Sequence, residues 1–461
     1  YHNSIGTHHM RCDATLPEWL VPFPIRLREA GYYCTNNSKT DYQFPAPFTA
    51  WDENRAASEL EDVHWRHRKS GQPFFAVFNL QRTHESGMWE EKSGEPRKDP
   101  GSVDLPPYLP DGLECRKALA RQYDNIEKND ALVGQLLQQL EEDGLADDTA
   151  VFIWSDHGEG LPRSKRWPYD TGIRVPLIVK WPGQVEPGTV CEDLVSTIDL
   201  APTMLSITGQ AVPCHMQGRV FLGSRRDPSR DYIHAARDRY DEAYDMVRAV
   251  RSARFKYIRN YYPEAPRLLW IPYRNRHPIL REMWTRYLSN ELEGAQALMF
   301  AERRPPEELY DVQADPYELN NLADDPAYGT ELEALRQELE TWRSASGDLG
   351  DVDEREMLRR WWPDGEKPVT AAPIFVPINA DTLGREAFND GGDFAAPVCL
   401  QLHCATQGAS IGWTRDESED PAWNLYTGPI RLEPGTHRLR IKAVRIGHGE
   451  SDERVAEFRV E

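Results

Sequence analysis

Residues 151–183 read VFIWSDHGEGLPRSKRWPYDTGIRVPLIVKWPG, and the fold turns on them. Positions 149–154 form an apolar run rich in β-formers, preceded by Ala146-Asp147-Asp148 and stopped by Ser155-Asp156-His157-Gly158. That pattern predicts a buried strand ending in a turn. Arg174-Val175-Pro176 then leads into a second strand at 177–179. Open parallel sheets present binding groups at the carboxyl ends of their strands, so Asp156 and His157 are expected to supply two ligands of a divalent cation there. Lys165 follows Asp156 by nine positions, inside the basic cluster Arg163, Lys165 and Arg166. The cluster is expected to face an anion beside the metal corner.

Outward from this stretch, FFAVFN at 74–79 predicts another strand that delivers Gln81-Arg82-Thr83-His84 to a second loop. A long amphipathic helix is expected over 114–143, with Leu119, Tyr123, Ile126, Val133, Leu137 and Leu140 on one face. Strand, helix, strand is the α/β rhythm. Another helix at 196–208 is capped by Thr197 or Asp199, with Pro202 in its first turn. Beyond about 217, segments 231–236 and 247–260 alternate as in an antiparallel sheet; 279–300 reads as helical, and a terminal helix is expected over 330–344. Residues 347–367 are a charged linker of uncertain structure, and from 373 onward short alternating segments, among them 398–402 and 438–444, predict a β-sandwich. The domains expected are therefore 1–216, 217–346, a linker at 347–372, and 373–461.

The 461 residues allow two or three domains, and 39% hydrophobic content without an apolar run near twenty residues predicts no membrane span. Seven scattered cysteines without CxxC spacing predict neither a zinc site nor a disulfide framework; Cys399 and Cys404 fall in one expected strand. The formal net charge of −21 argues against a nucleic-acid partner. Screening confines each surface charge to about 8 Å, so local cations decide whether an anion is bound.

Taken together, Ser155-Asp156-His157-Gly158, Lys165 ahead of Asp170-x-Gly172-x-Arg174-Val175-Pro176, Glu308-Leu309-Tyr310-Asp311 and 315–323 (DPYELNNLA) resemble the sulfatase family of the alkaline-phosphatase-like superfamily. The resemblance covers about 1–344. It implies an α/β alkaline-phosphatase-like core, incomplete at its N-terminus, with a small α+β C-terminal subdomain. It also implies sulfuric ester hydrolysis of sulfated carbohydrate, a divalent metal (calcium, with manganese open) on Asp156 and His157, and export to the periplasm or beyond. Lys39, His84 and Lys165 take the catalytic places: Lys39 and Lys165 against the sulfate, His84 as the acid. His9 and Arg11 take substrate-binding places. Ser38, Asp41 and Ser86 depart from the family pattern, which has glycine, commonly histidine, and proline there.

The family's nucleophile is a formylglycine made from a Cys/Ser-x-Pro-x-Arg loop near the N-terminus, after a strand ending in paired aspartates. Neither element occurs here; Asp227-Pro228-Ser229-Arg230 has Arg226 where the Cys or Ser must stand. The expectation is an N-terminally truncated sulfatase that is inactive by itself. A phosphodiesterase or phosphonate monoester hydrolase of the same superfamily, and a non-catalytic glycan-binding protein, are the rival readings. Trp167 and Tyr169 have two readings, sugar stacking and core packing. Segments 405–413, 426–430 and 445–447 resemble the fibronectin-like domain appended to some glycoside hydrolases and sulfatases, for glycan contact or for packing.

Overall fold

Three strands from the first eighty residues, β1 (Tyr33–Asn37), β2 (Glu53–Arg55) and β3 (Phe74–Phe78), make a parallel sheet in the order β2-β1-β3. The computed structural model describes residues 1–37, 39–55, 60, 62–379, 382 and 390–461. The expected strand before Asp156 is present as β4 (Val151–Trp154), but it pairs antiparallel with β5 (Leu177–Lys180), Ile153 opposite Ile178. Among the described residues this pair joins no other sheet. The expectations that this strand is buried and lies in an open parallel sheet are therefore corrected. A two-stranded ribbon cannot cover both its faces, and Trp154 and Ile178 stand exposed.

The long helix runs over Leu113–Glu142, and its buried face also differs from expectation. Leu119 and Leu140 are buried as predicted, whereas Tyr123 and Ile126 are exposed. Arg121, Asp124 and Asn125 are buried instead, because this face packs on the irregular chain at 81–98, whose backbone must be hydrogen-bonded. The Asn125 amide donates to the Gly87 carbonyl at 2.9 Å, Arg121 to those of Gly94 and Met88 at 2.6 and 3.3 Å, and Asp124 accepts from the Arg97 amide at 2.6 Å. The helix thus holds the His84 loop by polar contacts that apolar periodicity cannot reveal.

The helix at 200 begins with a 3-10 turn, Thr197–Asp199, closed by a capping box between Ser196 and Asp199, and continues as Leu200–Ile207. An antiparallel sheet follows in the order β6 (Ile233–Arg237), β7 (Val247–Arg251), β8 (Phe255–Asn260), β9 (Glu307–Asp311). The stretch expected as one helix over 279–300 is Pro278–Leu288 followed by two short turns. Helix Gly329–Ser346 packs Leu335, Leu339 and Trp342 on Val250, Tyr257 and Leu309, and ends on Gly347 at φ +68°.

The expected linker carries a helix, Glu354–Trp361, capped by Asp353. Its Met357 and Trp361 pack with Cys12, Ala14, Leu16 and Ile446. Two sheets follow around one apolar core that includes Phe375, Leu400, Ile441 and Phe458. One contains β10 (Ile374–Ile378), β12 (Val398–His403) and β15 (Ile430–Leu432); the other contains β11 (Gly391–Phe394), β13 (Ser410–Thr414), β14 (Asn424–Leu425), β16 (Gly435–Val444) and β17 (Arg454–Val460). Cys404 lies just past β12, and all seven cysteines are free. This unit sits hard against the N-terminal segment. Arg445 donates to the Leu16 carbonyl at 2.8 Å, and a Cβ at Gly447, φ +81°, would lie 2.4 Å from the Ala14 oxygen.

Candidate active site

β1, β3 and β4 each deliver a loop to one place. After β4, Ser155 Oγ donates to the His157 carbonyl at 2.6 Å and the His157 amide donates to Asp156 Oδ1 at 3.1 Å. His157 Nδ1 lies 2.7 Å from the Gly158 oxygen and so carries its proton. Burial, partly opposed by Asp156, lowers the His157 pKa. The ring is therefore neutral at pH 7, and its Nε2 lone pair sits 3.7 Å from Asp156 Oδ2. Gly158 makes the turn possible: a Cβ there would lie 1.9 Å from the Thr171 oxygen. A neutral imidazole fixed through Nδ1 beside a carboxylate 68% exposed fits a divalent cation. Among the described residues no group of three such ligands occurs, so Asp156 and His157 would supply part of its shell.

Lys39 comes from the chain after β1, where Asn36 Nδ2 donates to its carbonyl at 2.9 Å. Its ammonium lies 3.3 Å from Asp41 and 4.0 Å from Asp156 Oδ2. His84 comes from the chain after β3. The Ser86 amide donates to His84 Nδ1 at 3.3 Å, which leaves the proton on Nε2. Burial first, then the charges of Lys165 and Lys39, push the His84 pKa down to about 4. The imidazole is neutral at pH 7 in the free site, a hydrogen-bond donor that becomes an acid only when an anion offsets the lysines.

Lys165 is 9% exposed, with Nζ 3.6 Å from Glu85. Burial lowers its pKa, and Glu85 opposes that effect. Glu85 is buried too, yet the Arg166 guanidinium on its two oxygens, at 3.0 and 2.9 Å, outweighs burial and holds its pKa below the ordinary value. Gly160 brings the two loops together, since a Cβ there would lie 2.8 Å from Glu85 Cα.

The basic cluster is corrected in part. Arg163 is buried and donates to the Tyr317 and Glu318 carbonyls, and Arg166 is occupied by Glu85, so Lys165 alone of the three is left toward the site. Trp167 and Tyr169 are core residues, not sugar platforms: Trp167 lies between the guanidiniums of Arg237 and Arg274, and the Tyr169 hydroxyl donates to Glu308 at 2.9 Å. His9 is buried against Tyr244, ring centroids 5.7 Å apart, and is closed to a ligand. Arg11 is exposed, 3.3 Å from Asp241. The structure therefore brings Lys39, His84, Lys165, Asp156 and His157 together and leaves His9 out.

Sequence reasoning missed Glu85 and a fully buried Lys256. Lys256 lies 2.9 Å from Glu318 and also pairs with Asp170, which Arg251 holds at 3.0 Å. Glu308 accepts from Tyr169, Tyr310 and Asn260. The ELYDV and DPYEL motifs thus brace the Lys165 loop from behind.

Comparison with known proteins agrees. The Sulfatase family model matches residues 29–210, and the model described as N-sulphoglucosamine sulphohydrolase, C-terminal, matches 158–270. An ulvan-active sulfatase of Formosa agariphila is 39% identical over 97% of this chain and 80% of its own length. Human N-sulphoglucosamine sulphohydrolase is 29% identical over 57% of this chain and 55% of its own. A solved structure of a 2-O GAG sulfatase shares the fold, with a TM-score of 0.54 at 21% identity over 77% of this chain and 85% of that one. The extent of the first likeness decides the matter: this chain belongs to the sulfatase family of sulfuric ester hydrolases.

Proposed function

We propose that this protein hydrolyses sulfate esters of a sulfated polysaccharide, holding the scissile group between Lys39, Lys165 and His84. One observation carries the reading: three segments far apart in sequence bring two ammonium groups and an imidazole N–H around the Asp156–His157 corner. Lys39 and Lys165 neutralise the non-bridging oxygens, and the buried setting of Lys165 strengthens that attraction. His84 Nε2–H donates to the same anion. The bound anion offsets the two lysines, raises the His84 pKa and lets the ring protonate the departing alkoxide. A divalent cation, calcium in this reading with manganese open, would be held by Asp156 and His157 and would polarise the sulfate oxygens.

Attack on sulfur needs a nucleophile. No Cys/Ser-x-Pro-x-Arg occurs among the 461 residues, and in this reading the formylglycine lies outside them, so these residues alone release no sulfate. The substrate class follows from the relatives, named for ulvan and for N-sulphoglucosamine. The same relatives disfavour the phosphodiesterase and phosphonate readings, and the assembled charges disfavour a purely glycan-binding role. The reading also places the protein in the periplasm or outside the cell. It divides the chain into a core at 1–216, a subdomain at 217–346, a connector at 347–372 and a fibronectin-like sandwich at 373–461.

The test is sulfate release by the full-length protein from ulvan and glycosaminoglycan oligosaccharides, followed by ion chromatography. Sulfate appears, and Lys165→Ala slows its release by about 10²–10³-fold. Faster turnover of a phosphate diester or phosphonate ester than of every sulfated sugar would overturn the reading.

A further inference from the structure

The segment just before helix Pro278–Leu288 reaches the site without taking part in the chemistry. Tyr273 is 36% exposed, and its ring meets that of His84 edge-on at 6.3 Å and that of buried Trp89 at 5.0 Å. The exposed Arg276 lays its guanidinium on the same Trp89 ring, 4.5 Å from the centroid. Lys92, also exposed, lies one turn past Trp89, its amide donating to the Trp89 carbonyl at 3.1 Å. Arg276 and Lys92 have no carboxylate partner among the described residues, in a chain where acids outnumber bases 75 to 54. Both stand beside the Trp89–Tyr273 pair, of which the Tyr273 ring is open.

The segment is also rigid. Arg274 is buried on Trp167 and bonds the Leu269 carbonyl, and buried His277 caps the following helix by accepting from the Ile279 amide at 3.2 Å. Trp270, 65% exposed, sits three positions before Tyr273. A sugar ring has an apolar C–H face suited to an aromatic ring and, in a sulfated polymer, anionic substituents at its edge suited to guanidinium and ammonium. Cations flanking an aromatic ring match that combination, whereas a purely apolar ligand would leave them unpaired.

We propose that Tyr273, Arg276 and Lys92 form a subsite beside His84 for the sugar next to the sulfated one, reading a second sulfate or a carboxylate. The inference rests on the sulfated-polysaccharide reading and makes the enzyme one that prefers a chain to a single sugar.

The test uses the full-length protein with sulfated tetrasaccharides from ulvan and from heparin, against an aryl sulfate, which carries neither a neighbouring sugar nor a second anionic group. In Tyr273→Ala and Arg276→Ala the ratio of kcat/KM for a tetrasaccharide to that for the aryl sulfate falls about tenfold, mainly through KM. Tyr273→Phe restores it, and Arg276→Ala flattens its salt dependence. An unchanged ratio, with both substrates losing equally, would overturn the subsite and leave hydrolase function standing. Calorimetry on the same tetrasaccharides decides the matter without turnover: equal affinity of wild type and Tyr273→Ala sinks the subsite. Failure to hydrolyse any sulfate ester, with tetrasaccharide binding weakened by the substitution, sinks the hydrolase reading and spares the subsite.

Discussion

Two clusters of charge lie back to back in this molecule and behave in opposite ways. Behind the Lys165 loop, buried Lys256, Asp170 and Glu318 and half-buried Arg251 close into a set of mutual partners. In front, Lys39, Asp156 and His157 keep long, partly exposed contacts of 3.7 to 4.0 Å, and Lys165 shares Glu85 with Arg166, which takes both of its oxygens. The rear cluster has nothing left to offer a ligand. The front one has unused hydrogen-bonding capacity and a field that favours an anion. The difference teaches that residue type does not mark an active site; incomplete mutual satisfaction does.

The sharpest way to break this contrast is to exchange the expected losses. Lys256→Met leaves two buried carboxylates facing each other and should cost about 3–5 kcal/mol of stability in denaturant unfolding. Lys165→Ala should instead lower kcat/KM by about 10²–10³-fold with little change in midpoint, because Arg166 still holds Glu85. Were Lys165→Ala to unfold the protein and Lys256→Met to spare it, the assignment of front and rear would be reversed. Gly158→Ala tests the joint between the clusters. With a Cβ 1.9 Å from the Thr171 oxygen, the turn must shift, at about 1–3 kcal/mol, and on the proposed metal reading the affinity for a divalent cation, measured by calorimetry, should fall with it.

Much of this architecture is legible in the sequence, but unevenly. The run before Asp156 and the spacing from Lys165 to Val175-Pro176 locate a strand and a site loop, since alternation and turn chemistry are local properties. The fate of Arg163 and Arg166 is not local. Nothing in RSKR says that one arginine will bond Tyr317 and the next Glu85, because those partners come from 154 and 81 residues away. Trp167 and Tyr169 take the core-packing reading, and His9 is closed off as a ligand contact, for the same reason. The long helix misleads differently: apolar period predicts which face is greasy, and here the neighbour is a loop that needs hydrogen bonds.

The smallest expected effect lies in acid titration. His84 has a folded pKa of about 4, below its ordinary 6.5, so the unfolded chain binds the proton more readily between those values. Its contribution to stability is present above about pH 6.5 and is lost as pH falls toward 4. His84→Gln should flatten that part of the stability profile. Nuclear magnetic resonance should show the His84 midpoint rising in saturating sulfate and in Lys165→Met. A midpoint already near 6.5 in the free protein would erase the field that separates front from rear.

The seam where Gly447 meets Ala14 bears on how the molecule is made. Arg445 and Leu16, hydrogen-bonded there, are separated by 429 residues. At ribosomal rates of about 5–20 residues per second, closing such a loop waits roughly 20–90 s after its first end emerges. For most of that interval Cys12, Ala14 and Leu16 lack Met357, and Ile446 comes only at its end. The seam therefore closes over a long range, and the nascent chain must be kept from other hydrophobic partners until β16 and the residues after it arrive.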